Sequence, residues 1–251
     1  MNNNEIINAV KCGMKIAARE IYYMDFSSGG KVSTEYFATV SIGKRLFSDK
    51  KFNIGDNKII FEYDTRRFIT ATVPLIKKIQ PNNMFTRSLI RSHANTNRGG
   101  RIDIAIIGNK NGVDYPICAI EVKGDNPTKK RLIDDIRRNL EYFKHTDTTG
   151  KSDLRIAFNC AFESFSSDSK IKKRFCITTT DRNNKIKIVK QKYRKYINEI
   201  ANEIPKNIDV SIDVFSSSEI LVDPYSSQDE YEALEDSIHL TLGVMIIFQQ
   251  I

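Results

Sequence analysis

The sequence predicts an α/β protein built on a mixed β-sheet. Two apolar runs with strand character, 101–108 and 115–124, are separated by Asn111-Gly112, a dipeptide typical of tight hairpin turns. A helix with one apolar stripe is predicted directly after them, over 129–144, and a further buried strand over 154–162. A strand, a crossover helix and a second strand, placed behind a hairpin, produce a sheet with both antiparallel and parallel pairs.

The remaining elements are predicted from their own local patterns. Apolar residues at helical spacing predict a first helix over 4–24, and Ser27-Ser28-Gly29-Gly30 ends it. Ser33 is a favourable N-cap for a second helix that runs to about residue 47. The other predictions are a strand over 58–63, short helices near 74–80 and 84–92, a loop through 95–100, strands over 175–180 and 185–189, a helix over 191–204, and strands near 210–215 and 219–222.

The chain organisation indicates one domain over residues 1–251. No internal repeat, low-complexity linker or composition break divides it, and 40% hydrophobic residues are enough for a proper core. No stretch approaches the roughly 20 apolar residues that a membrane-spanning helix needs. The first residues, Met-Asn-Asn-Asn-Glu, lack the basic and apolar regions of a secretory signal.

The cysteines favour a reducing compartment. None of the four has the CxxC spacing of a zinc or redox site, and two lie inside apolar strands. We therefore expect small buried thiols and a cytoplasmic location. The four residues are Cys12, Cys118, Cys160 and Cys176.

Charge is distributed unevenly along the chain. The net charge is +8, but 170–195 holds eleven basic residues and one acid, whereas 199–251 holds eleven acids and one base. A cationic body fits a polyanionic partner, with nucleic acid the first candidate. The alternative is a solvated charged face, with the acidic tail lying against the basic stretch.

Three charged residues interrupt the two diagnostic strands: Asp103, Glu121 and Lys123. A charge in a buried strand is costly unless it is paired or binds a metal. Because side chains alternate along a strand, Glu121 and Lys123 share a face and lie about 7 Å apart at Cα. Together the three groups indicate a divalent-metal site that acts on phosphate.

The register of the hairpin decides whether Asp103 joins that face. A plain two-residue turn pairs Lys110 with Val113 and therefore Asp103 with Ile120, which places the two acids on opposite faces. One extra residue, in an odd-length loop or a bulge, sets Asp103 opposite Glu121. We predict this irregularity, because without it the site does not exist.

The residue types fit metal-assisted hydrolysis. Hard Mg²⁺ takes one or two carboxylates, here Asp103 and Glu121, together with waters and phosphate oxygens. Lys123 then orients the attacking water or neutralises charge that develops on the phosphate, and its apolar surroundings are expected to lower its pKa. The alternative is a half-exposed strand whose charges face water, but the same faces also carry Ala105, Ile107, Ile117 and Ala119.

Asp103, followed after seventeen residues by Glu121-Val122-Lys123, resembles the PD-(D/E)xK nuclease superfamily, which has the restriction-endonuclease-like fold. The resemblance covers about residues 33–162, and 163–251 is then a C-terminal extension packed on that core. It implies an αβββαβ core, Mg²⁺ dependence and cleavage of DNA. Ile102 stands where the name of the family has proline.

Similar proteins often carry a metal-proximal glutamate on the helix before the sheet, and Glu35 matches that position. Its alternative role is to complement the N-terminus of its helix. Glu62 is a rival candidate, with a solvated strand charge as its alternative.

Several basic residues are candidates for phosphate contacts. Some are close in sequence to the proposed site, and others lie on a helix that mixes bases with Tyr193 and Tyr196. Each is equally a candidate for an ordinary surface charge, and Asp135 and Arg138 for a simple i,i+3 pair. The nucleic-acid candidates are Arg98, Arg101, Lys129, Lys130, Lys190, Lys192 and Arg194.

These patterns lead to the expectation of a Mg²⁺-dependent DNA endonuclease, with Mn²⁺ as a substitute ion and, by family analogy, a role in restriction or phage defence. Double-strand cutters often pair two active sites, so a homodimer is expected. The alternatives are an inactive nuclease-like subunit that binds nucleic acid or docks a partner through its acidic C-terminal part, and an RNA nuclease. The sequence has no GxGxxG, GxxxxGK[ST] or GxSxG motif, which argues against nucleotide-binding and serine-hydrolase classes.

Overall fold

A computed structural model describes residues 2–28, 33–48, 57–78, 88–90, 99–110, 112–166, 179–219 and 239–251. The fold is α/β, with a mixed six-stranded sheet and, in those residues, five α-helices. This confirms the predicted fold class. Within the described residues, no helix is both long and apolar enough to cross a membrane.

The helices and strands follow one another in the order expected for a sheet with covering helices. The helices are α1 (Asn3–Ser28), α2 (Thr34–Ser48), α3 (Thr65–Ala71), α4 (Lys129–Lys144) and α5 (Thr179–Glu199), followed by a 3₁₀ turn at Ala201–Glu203. The strands are β1 (Lys58–Asp64), β2 (Ile76–Lys78), β3 (Ser88–Ile90), β4 (Arg101–Lys110), β5 (Val113–Asp125), β6 (Thr146–Asp147), β7 (Gly150–Lys151), β8 (Ile156–Ser166), β9 (Ile208–Glu219) and β10 (His239–Gln250).

The central sheet has the strand order β1-β4-β5-β8-β10-β9. Strands β5 and β8 are parallel and joined through α4, whereas the other neighbouring pairs are antiparallel. The C-terminal strands β9 and β10 extend this same sheet, because β10 pairs with β8 along its whole length. The centre of the sheet is therefore β5, the strand that carries Glu121 and Lys123.

Helices cover both faces of the sheet. On one face, α1 and α2 pack with Ile104, Ile106, Ile120 and Val122, and on the other, α4 and α5 cover Ala105, Ala119 and Ala157. Helices α1 and α2 approach closely at Gly13, where an added Cβ would lie 2.6 Å from the Ile42 Cα. Both faces of the central strands are thus dry, and a charge on them must find a partner inside the protein.

Most predicted elements near the site are confirmed. Helix α1 ends at Ser28, and Ser33 caps α2 by accepting a hydrogen bond from the Tyr36 N–H at 3.4 Å. Helix α4 has the predicted bounds, and its apolar stripe is buried. Cys118 and Cys160 are buried free thiols as predicted, whereas Cys176 lies outside the described residues.

Three predictions of local structure are wrong. Residues 185–189 belong to helix α5 rather than to a strand. The predicted helix over 191–204 is confirmed as the second half of the same helix, although α5 ends at Glu199 and a 3₁₀ turn follows it. Residues 76–78 and 88–90 form a small antiparallel β-pair where helices were expected. The predictions for 175–178, 220–222 and most of the 84–92 and 95–100 segments lie outside the described residues.

The β4–β5 hairpin contains the predicted irregularity. Lys110 pairs with Val113, as in a two-residue turn, and Gly112 has a φ of 78°, which suits glycine. Further along, Ile107 pairs with Pro116 but Ile106 pairs with Cys118, so Ile117 is an extra, bulged residue. The predicted irregularity is therefore a bulge and not the alternative, an odd-length loop.

The bulge moves β5 by one residue relative to β4. After it, Ala105 pairs with Ala119 and Ile104 with Ile120, so that Asp103 comes opposite Glu121. Ile117 itself packs on the α1/α2 face, contrary to its predicted place beside Glu121. Asp103 and Glu121 therefore share one face of the sheet only because of this one insertion.

Candidate active site

Asp103 and Glu121 face one another where the β4–β5 ladder ends. The Oδ2 atom of Asp103 accepts a hydrogen bond from the Val122 N–H at 2.6 Å, so a carboxylate replaces the carbonyl that would continue the ladder. Glu121 is 2% exposed. The structure thus brings the two predicted acids together, with Glu121 buried and Asp103 partly buried.

Lys123 lies next to these acids but its ammonium points to two others. Its Nζ is 3.1 Å from Asp135 Oδ2 and 3.3 Å from Glu35 Oε1. It also donates a hydrogen bond to the Val122 carbonyl at 3.3 Å. Lys123 therefore links α2, β5 and α4 at one end of the sheet.

Glu35 is held at the site by the first turn of α2. The Thr34 hydroxyl donates to Asp125 Oδ2 at 2.6 Å, and the Ser164 hydroxyl donates to the other oxygen, Oδ1, at 2.7 Å. Asp125 thereby fixes the start of α2 against the ends of β5 and β8. Through its contact with Lys123, Glu35 lies beside the predicted charged residues of β5.

Glu62, the rival acid, occupies an unusual backbone position. Its φ is 51°, in the left-handed region that side chains other than glycine seldom adopt. Phe61 pairs with Ile104 and Tyr63 with Ile102, so Glu62 lies opposite Asp103 on the edge strand β1. Its charge and that of Glu35 both raise the pKa of Asp103. Both candidate glutamates therefore border the site.

Two further charged residues complete the site, and both come from α4. Arg138 Nη1 is 3.2 Å from Glu121 Oε1, and Arg138 Nη2 is 3.4 Å from Asp135 Oδ1. Asp135 is buried, and it contacts both Arg138 and Lys123. Their spacing alone predicts only an i,i+3 pair. The signal for a buried role is that Asp135 and Asn139 border the apolar stripe of α4 on its buried side.

Asn139 fixes α4 over the site. Its Nδ2 donates to the Phe158 carbonyl at 3.0 Å and to Asn159 Oδ1 at 2.9 Å. Asn159 is the register partner of Glu121 on β8, and both asparagines are buried. This contact holds the helix, and with it Arg138, at a fixed height above Glu121.

Burial shapes the ionisation of both acids. It raises the pKa of Glu121 to about 8, with the negative charge of Asp103 adding to the effect and Arg138 opposing it. Burial likewise raises the pKa of Asp103 to about 6, against the lowering effect of the Val122 N–H. Both carboxyl groups therefore keep their protons to a higher pH than ordinary acids do.

The pKa of Lys123 shifts opposite to the expected direction. Burial lowers the pKa of its ammonium, but the carboxylates of Asp135 and Glu35 outweigh that effect and raise it above the ordinary value. The expected lowered pKa is therefore wrong for the protein without a metal. Lys123 is a permanent cation here, which suits charge stabilisation rather than proton acceptance.

The predicted nucleic-acid contacts have different surroundings. Lys130 and Arg101 are exposed, whereas Lys129 pairs with Glu199 Oε2 at 2.5 Å. Lys192 is paired with the buried Glu163 at 2.7 Å, which also accepts a hydrogen bond from the Tyr193 hydroxyl. Lys192 thus helps to hold α5 on the sheet, and Tyr193 is buried. Arg98 lies outside the described residues.

Lys190 and Arg194 have a different setting on the same helix. They line an open cleft of about 450 Å³ between α5 and the edge strand β9. Asn198 and Ser211 add neutral polar groups, and Ile197 and Ile212 form an apolar wall. Two cations one helical turn apart beside polar donors form a suitable surface for a phosphate backbone.

The grouping of acids bears on metal binding. Within the described residues, no three His, Cys, Asp or Glu side chains are arranged as a ready-made ion site. Asp103 and Glu121 offer oxygen ligands only, which is the chemistry that Mg²⁺ prefers, and Mg²⁺ commonly uses one or two carboxylates and keeps its waters. Five acids surround two cations, namely Glu35, Glu62, Asp103, Glu121 and Asp135 around Lys123 and Arg138. Among the described residues, the donor set is therefore two carboxylates of the kind that Mg²⁺ takes, and its other ligands would be waters and substrate oxygens.

Comparisons of the chain with protein-family models, with curated proteins and with solved structures found no match.

Proposed function

We propose that this protein is a Mg²⁺-dependent endonuclease that hydrolyses phosphodiester bonds of DNA. The observation that carries the proposal is the bulge at Ile117, which places the partly buried Asp103 opposite the buried Glu121 on one face of the sheet. Without the bulge, Asp103 and Glu121 would lie on opposite faces of the sheet. A protein that maintains this arrangement bears a desolvation cost that a bound cation relieves.

The proposed ligands are Asp103 and Glu121, with Glu35 as an auxiliary acid. The bound ion supplies a water of lowered pKa and neutralises phosphate charge. Asp103 keeps one oxygen on the Val122 N–H, which fixes the orientation of its carboxylate. Mn²⁺ is expected to substitute, since it accepts the same oxygen ligands.

Lys123 is proposed to stabilise the charge that develops on the phosphate. Its raised pKa keeps the ammonium charged, and 18% of its side chain remains exposed, so a substrate oxygen can reach it. In the reaction, a bond forms between water oxygen and phosphorus while the bond from phosphorus to the leaving oxygen breaks. The ammonium then lies near the oxygens that gain charge.

The order of elements supports the proposed family. Helix α2, strands β1, β4 and β5, helix α4 and strand β8 follow the αβββαβ order of a restriction-endonuclease-like core, with α3 and short strands inserted. Strand β8 is parallel to β5 and follows a helix that covers the site. A defence role rests on family analogy alone, and so do DNA as substrate and a homodimer.

The direct test incubates the protein with plasmid DNA, single-stranded DNA and RNA, with Mg²⁺, with Mn²⁺ and with EDTA. We expect nicked or linear DNA only when a divalent ion is present, and none with an Asp103→Ala variant that keeps the wild-type circular dichroism spectrum. Cleavage of RNA alone would move the substrate to RNA while leaving the site assignment intact. Equal cleavage by the Asp103→Ala variant would refute the site.

The cleft between α5 and β9 gives a separate prediction about binding. Exchange of Lys190 and Arg194 for glutamate should weaken DNA binding and flatten the slope of log Kd against log salt by roughly 1–2, because two phosphate contacts are lost. Fluorescence anisotropy with labelled DNA at several salt concentrations measures both. Lys151→Glu, an exposed charge change in the β7 strand that precedes β8, is the matched control. An identical loss in that control would show a general charge effect and contradict a contact at the cleft.

One observation favours the alternative of an inactive nucleic-acid-binding or assembly subunit. Both acids already have protein partners, since Glu121 contacts Arg138 and Asp103 accepts the Val122 N–H. A subunit of this kind binds DNA with no Glu121-dependent heat when Mg²⁺ or Mn²⁺ is titrated into it. Isothermal calorimetry on the wild type and on Glu121→Gln therefore distinguishes the two functions.

A further inference from the structure

Glu121 has a positively charged partner supplied by the protein. The Arg138 guanidinium is 3.2 Å from its Oε1 atom, at a carboxylate that is 2% exposed. An ionised carboxylate at such a depth requires a cation within a few ångströms. Arg138 therefore occupies the electrostatic position that a divalent ion would take at the same residue.

Lys123 does not fill that position, although it lies only two residues along β5. Its ammonium contacts Glu35 and Asp135 instead. Among the residues that the structure describes, Arg138 is the one basic side chain paired with Glu121. Among those residues, a single guanidinium therefore favours the ionised form of the proposed ligand.

Arg138 also contacts a second acid, and it can keep that contact when its side chain moves away from Glu121. Its Nη2 is 3.4 Å from Asp135 Oδ1, and Asp135 is held from the other side by Lys123. The arginine side chain remains 29% exposed, so it has room to move away from Glu121 without breaking that second contact. Asn139 holds the backbone of α4 in place, which limits any movement to the side chain.

We propose that Arg138 is a built-in counter-ion that competes with the metal for Glu121 and thereby sets the metal affinity of the site. In the metal-free protein its guanidinium lies against the Glu121 carboxyl group and favours the ionised form of that group over the protonated one. When a divalent ion binds Glu121, like charges repel and Arg138 keeps only its contact with Asp135. This inference rests on the proposed function, because it takes Glu121 as a metal ligand.

The test measures metal binding rather than cleavage. Calorimetry with Mg²⁺ and with Mn²⁺ on the full chain at pH 9, where protonation of Glu121 interferes least, should show roughly tenfold or tighter binding for Arg138→Gln than for the wild type, because a competing and repelling charge is gone. Arg138→Lys keeps the charge and should stay within about threefold of the wild type. Weaker or unchanged binding by Arg138→Gln would overturn the inference.

Arg137 provides the matched control. It is the adjacent residue of the same helix and makes a bidentate pair with Glu203, at 2.9 Å and 2.7 Å, away from the site acids. Arg137→Gln removes the same charge and should leave the metal affinity unchanged. An equal gain in both variants would mean that net charge, rather than competition at Glu121, governs binding.

A measurement on the unmodified chain covers the case in which Arg138→Gln fails to fold. The guanidinium resonance of Arg138 should shift in nuclear magnetic resonance spectra when Mg²⁺ is added, and that of Arg137 should not. Glu121-dependent binding with an unshifted Arg138 signal overturns the inference and leaves the proposed function standing. Absence of Mg²⁺ binding in both the wild type and Arg138→Gln overturns both.

Discussion

Replacement of Lys123 by alanine is expected to reduce the rate of DNA cleavage by at least about a thousandfold while the chain stays folded. The ammonium is the one cation of the site whose partners are acids other than the two proposed ligands. Its loss removes a positive charge next to the reacting phosphate without exposing either ligand. Asp135 keeps Arg138 as a partner, so no buried carboxylate is left alone.

The measurement is a single-turnover cleavage rate, with circular dichroism and thermal unfolding to show that the variant is folded. Mg²⁺ binding by calorimetry should persist, since both ligands remain. Lys130→Ala is the control, because Lys130 is exposed on α4 and its removal should cost less than about tenfold, as for a single phosphate contact. Cleavage by Lys123→Ala within tenfold of the wild type would remove Lys123 from the chemistry.

The site was predictable from sequence to the extent that local patterns determine it. Alternation along β5 sets Glu121 and Lys123 on one face, and the charges themselves required the extra residue that the structure places at Ile117. The position of the bulge was not predictable, because a shift of register can occur anywhere between the turn and Asp103. Only the packing of side chains on both faces of the sheet determines where along the strand the bulge forms.

The errors come from short windows that satisfy two periodicities. Lys185 to Val189 alternates polar and apolar residues as a strand does, yet Ile186, Val189 and Tyr193 also recur at helical spacing. In the structure these three pack on the α4/α5 side of the core, so α5 runs through the segment as a helix. Tertiary contact decides between two patterns that five residues cannot distinguish.

The roles of Asp135 and Arg138 as partners of Lys123 and Glu121 could not be predicted, for a different reason. Asp135 and Arg138 are separated by three residues, and a surface ion pair accounts for that spacing just as well. Their role depends on the height of α4 above β5, which the contact of Asn139 with β8 determines. Sequence spacing carries no information on such a distance between elements.

Glu121→Gln is expected to abolish cleavage and yet to stabilise the metal-free protein at pH 8. Burial raises the pKa of Glu121 from 4.5 to about 8, so the folded chain holds a proton that the unfolded chain releases. The stability that Glu121 contributes is therefore fully present below pH 4.5 and is lost as the pH rises through about 8. Glutamine does not titrate, so the variant does not lose stability in this way. Its free energy of unfolding at pH 8 should exceed that of the wild type by on the order of 2 kcal/mol.

Urea unfolding in EDTA at pH 5, 6, 7 and 8 measures this trend. Glu163→Gln is the matched control, since Glu163 is also buried but is paired with Lys192 at 2.7 Å and with the Tyr193 hydroxyl at 2.9 Å. Its replacement should cost stability, by about 1–3 kcal/mol, because it weakens a charge-assisted pair. If Glu121→Gln raises the free energy of unfolding at pH 8 while Glu163→Gln lowers it, then the protein keeps Glu121 at a cost in stability.

Added Mg²⁺ separates a ligand from a merely strained acid. An ion that binds only the folded state raises the free energy of unfolding by mass action, about 2.7 kcal/mol at a hundredfold excess over Kd. The wild type should therefore gain stability from Mg²⁺ at pH 8 and Glu121→Gln should not, so that the metal narrows or removes the difference between them. A wild type that Mg²⁺ leaves unchanged, beside a variant that is more stable at pH 8, would mean that Glu121 bears its desolvation cost for some purpose other than a metal.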